Sequence, residues 1–428
     1  MSGVAVLAGL IALYAALARR LDRWSVTAAI VFTAAGVFLG VRALDVLPLA
    51  LNAESTKLLA ELTLAVLLFA DAATVDARAA RRGAALTARL LLVGLPLTIV
   101  LGTVVGALLF PSAGWAVAAL LATILAPTDA ALGMAVFTNR AVPARVRLAL
   151  NVESGLNDGI ATPLVAFFLA LVVSEEDAGT HHWIREALGE IAIGVGVGVG
   201  VGLVGGRLLV AARRWGGTTP TSEQVGVLAL ALLAFAGADA AGGNGFVAAF
   251  VGGLALGAAT RGALHEQLEF TETTGQVLTM AVWTLFGALL AAPALLDGLE
   301  WRPVIYAVIS LTIVRMLPVA LGLVGVGMRR ETILFMGWFG PRGLASVVFT
   351  LLAVITLEGH GDAAHTIALA ATWTVLLSVV AHGLTAGPLG RRYGARIRAA
   401  GPAAEELQDV PETRERQRVL GQSRAGRG

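Results

Sequence analysis

Asp71, Asp129, Glu153, Asp158, Arg315 and Arg342 all fall inside long apolar runs. A charged side chain at the centre of a membrane-spanning helix costs roughly 2.5–3.5 kcal/mol on insertion scales. Four acids and two bases in that setting must face one another or water, and they mark function. The densest group is Asn151-Val-Glu153-Ser154-Gly-Leu-Asn157-Asp158-Gly-Ile-Ala-Thr-Pro-Leu164, which opens a run that stays apolar to about Val173. On a helix, Ser154 and Asp158 are i,i+4 and share one face. Glu153 and Asn157 share another, about 100° round. One face can hold an ion while the other ties the helix to its neighbours.

Asp158 and Asp129, with the Thr128 backbone and the Ser154 hydroxyl, make an oxygen-rich set of the kind that suits a hard monovalent cation. A carboxylate in such a place titrates in competition with a cation. If it holds either a proton or a metal ion, never both, one such group suffices to exchange the two. Glu153 and Arg342 are expected as a structural ion pair between the sixth and twelfth helices, since either alone is a buried unpaired charge. For Asp158 itself, a salt bridge to Arg315 is the plain alternative.

The elements that must position these groups are membrane helices. The chain is 57% hydrophobic and 14% charged, whereas a soluble domain carries about 25% charge. Its mean hydropathy is +0.81. Cysteine is absent, which excludes disulfides and thiolate metal sites. Apolar runs give about thirteen spans, near 3–18, 25–41, 58–75, 88–110, 114–137, 148–173, 187–211, 224–241, 246–259, 275–292, 303–327, 332–357 and 364–386. The first is too poor in preceding basic residues to be a signal peptide.

Charge orients the bundle. After odd-numbered spans lie Arg19/Arg20/Arg23, Arg78/Arg81/Arg82, Arg140/Arg145/Arg147, Arg213/Arg214, Arg261 and Arg329/Arg330. After even-numbered spans lie only Arg42 with Lys57, then Arg185, then Arg302. The positive-inside rule then puts the N-terminus outside and the C-terminus in the cytoplasm.

Two spans carry a proline beside a charge: Pro127-Thr128-Asp129 in the fifth and Gly340-Pro341-Arg342-Gly343 in the twelfth. Proline removes a helical hydrogen bond and clashes with the preceding turn, so both helices are expected to break. Paired interrupted helices in inverted halves point to a secondary transporter's midplane site. The expected fold is therefore an all-α polytopic membrane protein with two inverted repeats, roughly 1–173 and 224–390, a linker helix at 187–211, and two broken helices crossing at the midplane. The run Gly194, Gly196, Gly198, Gly200, Gly202, Gly205 and Gly206 lies inside that linker span, where close helix packing explains it better than a dinucleotide loop. Residues 391–428 are charged and poor in large apolar groups, and read as a cytoplasmic tail, disordered or laid on anionic lipid.

At these residues the sequence resembles the monovalent cation:proton antiporter family, in its electroneutral sodium/proton (NhaP-type) branch. Glu153-Ser154-Gly-Leu-Asn157-Asp158-Gly159 is similar to the sixth-helix signature, with Asp158 at the ion-binding aspartate. Thr128-Asp129 matches the Thr-Asp pair of the broken fifth helix, although here the proline precedes the pair. Gly340-Pro-Arg342-Gly343, Arg315-Met-Leu-Pro318, Leu68-Phe69-Ala70-Asp71 and Gly243-Asn-Gly-Phe-Val-Ala-Ala-Phe-Val-Gly-Gly253 carry the rest. The likeness covers roughly residues 5–390.

The resemblance implies exchange of Na⁺, with Li⁺, for H⁺ across the inner membrane by alternating access. Asn157 in place of a second aspartate implies an electroneutral exchange. It also implies a homodimer in which a core moves against a dimerisation scaffold. Asp158 is then the competing carboxylate, Asp129, Ser154 and Thr128 are co-ligands, and Asn157 positions the unwound fifth helix. Asp71 and Arg315 tune the cavity. K⁺/H⁺ exchange on the same scaffold is the near alternative, since selectivity depends on cavity size and ligand field. No cofactor and no nucleic-acid partner are expected, only lipid and the transported ions. The chain is expected not to be an enzyme: an Asp129/Asp158 hydrolase dyad fits Asn157 and Arg342 poorly. Broken helices also favour alternating access over a passive channel.

Overall fold

The structure is a computed structural model describing residues 2–24, 26–40, 53–75, 84–137, 139–176, 183–264, 266–359, 361–399 and 406. Among these residues every element is helical. In chain order they are α1 (Ser2–Arg23), α2 (Ala28–Leu39), α3 (Ala53–Ala73), α4 (84–109), α5a (Gly114–Ile124) and α5b (Ala130–Phe137), and α6 (Ala144–Glu176). There follow α7 (Trp183–Arg214), α8 (Pro220–Ala240), α9 (Gly245–Thr260), α10 (Leu268–Leu296), α11 (Trp301–Gly322), α12a (Arg330–Trp338) and α12b (Leu344–Thr356), and α13 (Gly361–Ala399). Each of the thirteen expected spans thus has one helix or one broken pair among the described residues. Arg42, Arg78, Arg81 and Arg82, counted in the charge pattern, lie outside those residues.

Proline acts in three ways along this chain. At Pro127 and Pro341 the helix breaks, leaving 125–129 and 339–343 non-helical. At Pro163 and Pro388 the helix continues through the ring. At Pro96, Pro293 and Pro318 the residue four places earlier lies in a π turn: Leu90–Gly94, Gly287–Ala291 and Ser310–Val314 respectively. Widening the ladder there relieves the clash of the ring with that carbonyl.

The glycines of α7 divide by face. A side chain on Gly194, Gly198 or Gly202 would strike the backbone of Asn244, Ala248 or Gly252 in α9, so these three let the two backbones touch. Gly205 faces Leu230 of α8, and Gly206 faces Leu256. Gly196 and Gly200 meet no neighbour within 4 Å. The expected close packing therefore rests on every fourth residue.

Of the tail expected at 391–428, residues 391–399 instead continue α13 to Ala399, and the remainder apart from Glu406 lies outside the described residues. Tyr393 and Ile397 of α13 are buried. These two are i,i+4, and Tyr393 stacks on Phe335 of α12a at a centroid distance of 4.2 Å. Glu406 accepts hydrogen bonds from the Arg329 N–H and the Thr332 hydroxyl, at 2.9 and 2.6 Å, and so caps the start of α12a. Outside the membrane spans, burial tends to raise its pKa, but these hydrogen bonds and the Arg329 charge hold it below the ordinary glutamate value.

Candidate functional site

The two breaks meet. The Asp129 N–H donates to the Pro341 carbonyl at 2.7 Å, so the extended strands of α5 and α12 are in direct contact. Three half-helix ends are satisfied there by side chains of the two broken helices. Asp129 Oδ1 accepts from the N–H groups of Ala131 and Leu132, at 2.6 and 3.1 Å, and its Oδ2 accepts from Leu344 N–H at 2.8 Å. One carboxylate therefore caps the N-termini of both α5b and α12b, where two positive dipole ends converge. At the opposite pole, the Ile124 carbonyl ending α5a accepts from the Ser346 hydroxyl at 2.8 Å. Arg342 Nη1 donates to the carbonyls of Ala126 and Pro127 just beyond it. In low dielectric, where exposed backbone groups have no water, such partners are what permits a break.

The Gly340-Pro-Arg-Gly343 run follows from this packing. A side chain on Gly343 would collide with the Asp129 carboxylate, and one on Gly340 would collide with Arg315 Nε. Through the gap at Gly340, Arg315 reaches α6. Its Nη1 and Nη2 donate to Glu153 Oε1 and Oε2 at 2.6 and 3.0 Å, a bidentate pair with both side chains almost fully buried. This corrects the expected pairing of Glu153 with Arg342. It also disposes of an Asp158–Arg315 bridge, because both terminal nitrogens of Arg315 lie on Glu153. Arg342 sits at the crossing itself, where the carbonyls of α5 hold it.

Asn157 Nδ2 donates to Thr128 Oγ1 at 2.7 Å, and Thr128 Oγ1 lies 2.9 Å from Ser154 Oγ. All three residues are buried. The hydroxyls of Thr128 and Ser154 are engaged with each other behind the crossing. Of the Ser154/Asp158 face, only Asp158 lines the adjoining cavity.

That cavity holds about 190 Å³ and is lined by Asp158, Asp129 and Asp71. Asp158 Oδ1 is buried and accepts no hydrogen bond, and neither does Asn157 Oδ1. The lining continues to Thr27 at the start of α2, Met134 of α5b, and Glu272 in the second turn of α10. These helix ends adjoin the connections bearing Arg23, Arg140 and Arg261, so the cavity leads toward the basic end of the bundle. Arg315, expected to tune the cavity, is absent from its lining. Glu272, Gln276 and Thr279 form a polar stripe of α10 along the cavity at i, i+4, i+7 spacing. Glu272 lies just before the tenth span expected from hydropathy, 275–292, and the i, i+4, i+7 spacing is the sequence signal that marks it.

Comparison with known proteins now adds to this geometry. Residues 6–392 match the family described as "Sodium/hydrogen exchanger, transmembrane". The K(+)/H(+) antiporter NhaP2 of Shewanella sp. (strain ANA-3) is 24% identical over 272 residues, covering 63% of this chain and 46% of that one. The K(+)/H(+) antiporter NhaP of Alkalimonas amylolytica is 26% identical over 279 residues, covering 65% and 47%. The chain thus spans about half the length of these curated relatives. Among solved structures, the sodium proton antiporter MjNhaP1 from Methanocaldococcus jannaschii at pH 8 superposes with a TM-score of 0.70 at 19% identity, over 92% of this chain and 98% of that one.

Proposed function

Because the chain belongs to the transmembrane sodium/hydrogen exchanger family, we propose that it is a secondary antiporter exchanging a monovalent cation for a proton through competition at Asp158. One observation carries the reading. Asp158 ends a cavity that leads to the bundle surface, and its Oδ1 has no hydrogen-bond partner. Glu153 and Asp129, the other acids near the crossing, are spoken for by Arg315 and by three backbone N–H groups. Asp158 is left as the carboxylate able to exchange a proton for a metal ion. Asp129 and Asp71 add negative field, and Thr128 and Ser154 offer hydroxyl ligands once their mutual hydrogen bond opens. Asn157 holds the Thr128 segment in place.

The cation we propose is Na⁺, with Li⁺ as a congener, and the exchange electroneutral. Only one carboxylate of α6 faces the cavity, because Glu153 is neutralised by Arg315. K⁺ is the second reading, favoured by the two curated relatives, both K(+)/H(+) antiporters. We further propose an inner-membrane homodimer with its N-terminus outside, two inverted repeats at roughly 1–173 and 224–390, and the cavity open to the cytoplasm. Support for the repeats comes from α4 and α11, which each carry a π turn and each precede a broken helix. In proteoliposomes with an imposed pH gradient, external Na⁺ or Li⁺ is expected to dissipate the gradient at lower concentration than K⁺. The reverse order would establish K⁺ as the substrate, and dissipation by none of the three would remove the antiport reading.

A further inference from the structure

The fourth half-helix end at the crossing, the C-terminus of α12a, is met by α13. Trp338 O, the last carbonyl of α12a, accepts from His382 Nε2 at 2.8 Å and closes a tight turn with the Gly340 N–H at 2.9 Å. The other ring nitrogen, Nδ1, lies 3.1 Å from the Ser378 hydroxyl and 2.9 Å from the Ser378 carbonyl. The same hydroxyl accepts the backbone N–H of Arg342 at 2.6 Å. Thr385 completes the face, its Oγ1 accepting the Trp338 indole N–H at 2.9 Å. Ser378, His382 and Thr385 recur at i, i+4, i+7, one stripe of α13. The stripe takes up a carbonyl before the break and an N–H within it.

A neutral imidazole has one donor nitrogen and one acceptor, and its partners decide which is which. Nε2 of His382 faces the Trp338 carbonyl alone and donates to it, while Nδ1 faces both the hydroxyl and the carbonyl of Ser378, and the Ser378 hydroxyl oxygen takes the Arg342 N–H. The ring is 1% exposed, packed against Trp338 at 5.1 Å and Phe339 at 6.3 Å between ring centroids. Through Nε2 on Trp338 O and, by way of the Ser378 hydroxyl, Nδ1 on the Arg342 N–H, the ring spans the Trp338–Arg342 turn.

We propose that His382, acting with Ser378, is a positioning residue for cation binding: it fixes the turn from which Arg342 reaches the carbonyls of Ala126 and Pro127. Those carbonyls directly precede Thr128 and Asp129. Ring, turn, guanidinium and the α5 break form one unbroken chain of bonds ending at the cavity. The inference rests on the antiport reading for its effect on transport, but the brace itself can be tested without transport.

Proteoliposome assays of three variants separate positioning from packing. In His382→Gln the amide can still donate to Trp338 O, and the half-saturating cation concentration is expected within about twofold of wild type. His382→Leu fills the space without a donor, and Ser378→Ala removes the link to Arg342. Both are expected to raise the half-saturating concentration about tenfold, the effect of one buried hydrogen bond, with maximal rate changed far less. A ring that serves only as packing would instead lower thermal stability in all three and leave that concentration unmoved, which overturns the proposal.

A second readout needs no transport. The protein has six histidines, and in ¹⁵N spectra of labelled wild-type protein the signal lost in His382→Gln identifies the ring. That signal is expected to show a proton on Nε2. A neutral Nδ1–H tautomer, with Nε2 bare, would refute the brace. Should wild type exchange no cation, the antiport reading fails while the spectrum still decides the brace.

Discussion

Asp129 and Asp158 adjoin the same cavity, yet their oxygens are occupied differently, and that difference separates the roles we propose for them. Asp129 accepts three backbone N–H groups, whereas Asp158 Oδ1 accepts nothing. The two bases near the crossing separate in the same way, Arg315 onto a carboxylate and Arg342 onto carbonyls. The residue types and the spacing within α6 were legible in the sequence. Which arginine meets Glu153 was not. It depends on the register in which α11 emerges from its π turn and on the gap that Gly340 leaves, and neither is encoded in local pattern. The assignment has a stability consequence. Glu153→Ala strands a buried Arg315, and loss of one partner from such a pair costs about 3–5 kcal/mol. Thermal unfolding in detergent should therefore shift strongly downward, with recovery when Arg315→Met is added. If Glu153→Ala is destabilised equally with and without the second change, the pair is not what holds α6 to α11.

At the scale of elements, proline alone does not determine a break. Pro163 and Pro388 sit inside continuous helices, while Pro127 and Pro341 end theirs. The breaks occur where side chains take over the freed backbone groups: Arg342 and Ser346 for α5a, Asp129 for α5b and α12b, His382 for α12a. A charge beside the proline was the visible half of that rule. The partners across the bundle were invisible, as were the three π turns, because a five-residue widening leaves the apolar period nearly unchanged. The glycines of α7 give a sharper case. Sequence showed them at alternate positions, whereas the helix uses every fourth. Gly198→Leu is expected to destabilise the protein by about 1–3 kcal/mol through overpacking against Ala248, and Gly200→Leu, on the open side, by no more than about 0.5 kcal/mol. Comparing the two unfolding midpoints checks this. Equal shifts would mean that α7 does not approach α9 through Gly198.

Over the whole molecule, thirteen helical spans could be read from hydropathy because lipid forces every backbone group into internal hydrogen bonds, leaving a strong one-dimensional signal. The end of α13 escaped that signal. Its last turns are held by Tyr393 and Ile397 against α12a, a tertiary contact in a segment whose composition looks solvated. The breaks, the buried pair and the capped termini together leave one acid with a free oxygen on a cavity of about 190 Å³. On that arrangement rests the working principle we propose: cation and proton use the same carboxylate in turn.

The most direct test is the apparent cation affinity of purified protein in proteoliposomes, measured as a function of pH with a fluorescent proton reporter. Competition at Asp158 predicts that the half-saturating cation concentration rises about tenfold for each unit of acidification below the carboxylate's pKa, and that Asp158→Asn exchanges nothing while unfolding near the wild-type temperature. A half-saturating concentration independent of pH across that range, or cation-driven proton flux that persists in Asp158→Asn, would contradict the account.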